Sequence, residues 1–100
     1  MDKRDLIIHM LRQLDEQSCS IQQVGAGYYS CIPFARRFNK LFAEAKTLFD
    51  DADGLMATFE EIPEYDPKDP ADKMKIIQGI RVEINQLISL LQVTDEDDNP

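Results

Sequence analysis

Apolar residues recur along this chain in steps of three and four. That is the spacing of one face of an α-helix, which turns about 100° per residue. From Lys3 to Val24, the residues Leu6, Ile7, Met10, Leu11, Leu14, Ile21 and Val24 share one arc, and His9, Arg12, Asp15, Glu16 and Gln23 lie opposite. Ile8 and Cys19 fall off that stripe, as a second contact surface or as scattered surface hydrophobes. Gly25 and Gly27 then break the pattern. A second helix is predicted from about Cys31 to Asp50, with Ser30 as its N-cap and Pro33 in its first turn. Its apolar stripe is Phe34, Phe38, Leu41, Phe42, Ala45, Leu48 and Phe49, set against Arg36, Arg37, Lys40, Glu44 and Thr47.

A short helix is expected from Gly54 to Ile62, because Leu55, Met56, Phe59 and Ile62 can cover one face before Pro63 ends it. The stretch EYDPKDP reads as extended linker. The last helix has a strong start in Asp69 as N-cap, Pro70 at the first position and Asp72 in the first turn, and it continues to about Val93. Its apolar positions Met74, Ile76, Ile77, Ile80, Ile84, Leu87, Ile88, Leu90 and Leu91 spread over ~200° of arc, more than one neighbour covers. Gly79 sits at the margin of that arc, where a small residue lets another backbone come close. The helix is therefore expected between two neighbours, within the chain or across a dimer, with Ile76, Ile80, Val82, Leu87 and Leu90 as the interface. The expected fold is all-α: three long antiparallel helices in an up-down-up bundle, with a short extra helix in the second connection. Residues 1–94 form one domain on this reading, and 95–100 an acidic C-terminal tail.

Composition narrows the classes. One hundred residues, 43% hydrophobic and 30% charged, suit one globular domain rather than two or a disordered chain. A net charge of −8 repels phosphate backbones and anionic lipid surfaces, so neither nucleic acid nor membrane is an expected partner. The opening MDKRDLIIHMLRQLDEQ carries early bases, but its apolar run is short, interrupted by His9 and followed at once by charge, unlike a signal peptide. The most apolar segment contains Arg81, Glu83 and Asn85 and does not read as a membrane span. A cytoplasmic location follows as the expectation, with Cys19 and Cys31 as free thiols. Charge is also uneven. Nine acids and one lysine lie from Asp50 to Asp72, whereas four bases and one acid lie from Pro33 to Phe49. Part of the linker is expected against the basic side of the second helix, through exposed pairs that contribute ~0–1 kcal/mol each and steer more than they hold.

The stretch FDDADGLMATFEE raises the one sharp chemical possibility. With Gly54 at the sixth position, Asp51 and Asp53 take ligand positions three and five, Leu55 the carbonyl position and Glu60 the closing glutamate. Over a dozen residues this resembles an EF-hand loop, which implies a divalent cation at Asp51, Asp53 and Glu60. Phe49 stands where the first aspartate belongs, Ala57 occupies position nine, and Pro63 stops the exit helix. The same acids serve more simply as helix caps: Asp53 caps the short helix, and Asp50 and Asp51 lie near its positive end. No metal or cofactor is assigned on the leading reading.

Catalytic groups are equally sparse. GAGYYS lacks a preceding strand and a third glycine for a dinucleotide loop, and either Tyr28 or Tyr29 suits an exposed contact. His9 lies on a polar face, and neither cysteine has a histidine in local reach. Arg36, Arg37 and Lys40 form a small basic patch, able to grip a carboxylate or phosphate, but without the aromatic interleaving expected for nucleic acid it reads more simply as a solvated face. The sequence therefore reads as a non-catalytic helical protein-interaction module, self-associating through helix 70–93 as a homodimer or higher oligomer, or binding another helical protein. The alternatives are a divalent-cation-responsive protein using the acidic 50–61 connection and an accessory subunit of a larger enzyme complex.

Overall fold

The computed structural model describes residues 2–24, 30–48 and 59–97. Among them run three α-helices and no strand: α1 (Lys3–Val24), α2 (Ile32–Lys46) and α3 (Pro70–Asp97). Each start has an identifiable hydrogen bond, local for α1 and α3 and partly distant for α2. Asp2 Oδ1 accepts the Asp5 amide at 2.8 Å and caps α1. Asp69 Oδ1 accepts the Ala71 amide at 2.8 Å, and Pro70 follows at the first helical position, as the sequence signal predicts. Cys31, not Ser30, holds the N-cap position of α2 and supplies no side-chain cap. Ser30 Oγ still accepts the Ile32 amide at 3.2 Å, and Asp66 Oδ1 takes the Cys31 amide at 3.1 Å. The cap of α2 is thus completed from a segment thirty-five residues away.

α2 closes earlier than its apolar stripe suggests. The Thr47 hydroxyl donates to the Glu44 carbonyl at 2.7 Å, and the Thr47 and Leu48 amides bond three residues back, the tight geometry of a closing turn. Residues 49 and 50, expected in this helix, lie outside the described residues. At the other end of the chain, α3 continues past Val93 to Asp97.

The core is one cluster. Leu11 and Leu14 of α1 meet Ala35, Phe38 and Phe42 of α2 and Ile80, Ile84, Leu87 and Leu91 of α3. Phe38 and Phe42 stack at 6.0 Å between ring centroids, and Phe59 of the linker closes on Phe42 at 5.9 Å. α1 touches both other helices, which explains why Ile8 is buried although it lies off the main stripe. Ile8 shares a flank with Asp15 and Gln22 at seven-residue steps, and both of those engage α3. Arg81 Nε donates to Asp15 at 2.9 Å, Arg81 Nη1 to Gln22 at 2.7 Å, and Gln22 Nε2 to Gln78 at 2.8 Å. At the other side of α1, Lys3 Nζ lies 2.9 Å from Glu44 of α2.

The segment 59–69 is not helical, so the far end of the expected helix over 54–62 is absent; residues 54–58 lie outside the described residues. Asn39 shows why. Its Oδ1 accepts the Ile62 amide and its Nδ2 donates to the Ile62 carbonyl, both at 2.8 Å, leaving neither group for a helical bond. Pro63 disfavours helical geometry at Ile62 as well. The linker does lie on the basic side of α2, where Arg36 meets Glu64 through Nε and Nη2, each at 3.3 Å.

Candidate functional site

α3 divides into two faces. Ile77, Ile80, Ile84, Leu87 and Leu91 are at most 1% exposed and fill the chain's own core. Ile80 and Leu87, expected at an interface, therefore face α1 and α2, and no second molecule can reach them without unfolding the bundle. The other three expected interface residues stand elsewhere. Val82 is 43% exposed, and Ile76 and Leu90 are half-buried. With Gly79, Glu83 and Val93 they lie within about 120° of arc that borders the buried face, and Ile76 at its edge packs against the core. Val93 is 51% exposed. A surplus of apolar positions was legible, but fewer of them are bare than the sequence implies.

Gly79 sits in the middle of this outer face, where an added Cβ would meet nothing within 4 Å. Glycine inside a helix is less favourable than alanine by about 1 kcal/mol. Among the described residues nothing uses the space it leaves. Lys75 and Glu83 flank it one turn away on either side, and no ion pair engages either of them among the described residues. At the start of the face opens a groove of about 400 Å³, lined by Ile62, Pro63, Tyr65, Pro67, Lys75 and Ile76 among others. Tyr65 on its wall is 60% exposed. This tyrosine was not singled out from the sequence; its place between two prolines gave no periodic signal.

A second groove of about 400 Å³ lies between α1 and α2, with Leu6, Ile7, Met10 and Leu41 below and Lys3, Arg37, Lys40 and Glu44 around it. Arg37 and Lys40 belong to the basic patch noted from the sequence, while Arg36 points to Glu64.

Lys73, 8% exposed, holds Asp66 at 2.8 Å, and Asp66 also accepts the Cys31 amide. The Lys73 ammonium and the Cys31 amide hold the Asp66 carboxyl below its ordinary range. Burial, then the charge of Asp66, pushes the Cys31 thiol up, away from the thiolate that nucleophilic chemistry needs. His9 is exposed. Of the possible cation ligands, Asp51 and Asp53 lie outside the described residues, and Glu60 is exposed on the linker. Among the described residues no group of three potential ligands could hold a metal ion, and no helix is long and apolar enough to cross a membrane. No protein-family model, no curated protein and no solved structure matches this chain.

Proposed function

We propose that the chain is a small non-catalytic helical interaction module that associates with itself through the outer face of α3. The observation that carries this reading is the run of Ile76, Gly79, Val82, Leu90 and Val93 along one side of a helix whose other side is already buried. Burying apolar surface gains about 25 cal/mol per Å², so exposed Val82 and Val93, with half-buried Ile76 and Leu90 beside them, favour a second helix over water. On this reading the bundle runs up, down and down rather than the expected up, down and up: Lys3–Glu44 sets α2 antiparallel to α1. Asp15 bonding Arg81 and Asn85 while Gln22 bonds Arg81 and Gln78 sets α3 antiparallel to α1 as well. The linker carries the chain back to the start of α2, where Cys31 meets Lys73. It behaves as one unit over residues 1–94 in a cytoplasmic setting that keeps both thiols reduced.

Light scattering after size exclusion, run over a range of loading concentrations, tests the proposal. The wild-type chain is expected above its 11.5 kDa monomer mass. Val82→Glu with Val93→Glu is expected at monomer mass with unchanged helicity. Leu6→Glu, in the groove between α1 and α2, is expected to leave the mass as in wild type. A wild-type monomer at every concentration would reject self-association.

A further inference from the structure

We infer that two copies pack α3 against α3 in antiparallel fashion, with the twofold axis passing at Gly79; this rests on the self-association just proposed. The argument starts from symmetry. A closed dimer uses the same patch on both subunits, so each residue of the patch must suit the residue that the axis brings opposite it. An axis at Gly79 pairs each position with the one equally far on the other side. Lys75 then meets Glu83 of the second copy, and Glu83 meets Lys75 of the second copy. Ile76 meets Val82 of the second copy, and the reverse contact repeats it. Opposite charges and apolar pairs thus match around the axis, while Leu90 and Val93 fall beyond the start of the second α3, opposite Lys68 and Tyr65 of its linker. A parallel arrangement in register sets Lys75 on Lys75 and Glu83 on Glu83, and like charges repel.

Three features of the fold agree with that register. The open space above Gly79, where an added Cβ meets nothing within 4 Å, is what a crossing backbone requires. Lys75 and Glu83 have no ion pair among the described residues, so neither must leave a partner to form the new one. The linker groove, with Ile76 on its wall and Tyr65 at its lip, lies where Val82 of the second copy arrives. The mixed character of the face, cation and anion on either side of a small centre, gives the contact an orientation as well as an area.

The experiment is a charge exchange read by sedimentation equilibrium, with circular dichroism to check that each variant keeps its helices. Lys75→Glu and Glu83→Lys each turn two attractive contacts into two repulsive ones, and each is expected to weaken association about tenfold or more. The combination Lys75→Glu/Glu83→Lys restores opposite charges in the antiparallel register and is expected to return association to near wild type. Gly79→Leu is expected to abolish association without loss of helix, since a Cβ there meets nothing within 4 Å in its own chain. If wild type associates but the combined variant stays as weak as the single ones, this register is wrong and self-association stands. Association undisturbed by Gly79→Leu likewise overturns the register alone. A wild-type chain that never associates overturns both.

Discussion

Asn39 ties the linker to α2 by two bonds to one residue, and its removal gives a measurable account of what holds segment 59–69 in place. Asn39→Ala deletes a donor to the Ile62 carbonyl and an acceptor for the Ile62 amide, both at 2.8 Å. A net hydrogen bond contributes about 0.5–1.5 kcal/mol, so the pair contributes about 2 kcal/mol. Ile62 is half-buried, so water replaces the lost partners only in part. The loosened segment also carries Phe59, which packs on Phe42, and Asp66, which caps α2. For a chain of this size, ~2 kcal/mol corresponds to a fall of about 10 °C in Tm. Thermal denaturation gives the stability change, and hydrogen exchange gives the site: the Ile62 amide should exchange slowly in the wild type and rapidly in Asn39→Ala. A melting temperature within ~2 °C of wild type, with Ile62 equally protected in both, would refute the claim that Asn39 anchors the linker.

Leu87→Ala should destabilise the fold by about 2–5 kcal/mol in chemical denaturation, because a fully buried side chain leaves a cavity, whereas Val82→Ala should change folding stability by under ~1 kcal/mol. Gly79→Ala should raise monomer stability by about 0.5–1 kcal/mol, read at a concentration low enough to suppress association, since the new methyl enters open space. The Asp66 carboxyl has a lowered folded-state pKa, so its stabilising effect is complete above the unfolded value near ~4 and disappears as pH falls through the folded one. Acid melts should therefore show wild type converging on Asp66→Asn below that range, and a constant gap between them would contradict the assignment. In the native protein an aromatic disulfide reagent should modify half-buried Cys19 and spare Cys31, which is 1% exposed with its thiol pKa raised.

How far the sequence carried depended on whether the deciding interaction was local. The start of α3 was legible because Asp69 and Pro70 act within one turn of themselves. The stripe of α2 was legible because Phe38 and Phe42 recur at helical spacing, but its end was not, since Thr47 turns the backbone early. The wide apolar arc of α3 was read correctly as more than one neighbour needs. Its division was not legible: Ile80 and Leu87 lie inward, in the cluster shared with α1 and α2, and Val82 outward, a fact of packing rather than of periodicity. Asn39 and Asp66 gave no signal at all. Each serves a backbone amide more than twenty residues distant, and spacing along a helix says nothing of such reach.

Cysteine cross-linking tests the role of the outer face of α3 most directly. Gly79→Cys in a Cys19→Ser background leaves buried Cys31 silent and places one accessible thiol where the axis should pass. Mild oxidation of the dilute protein is predicted to give a disulfide-linked dimer much faster than Leu6→Cys in the same background. Equal, slow cross-linking at both positions would contradict the account.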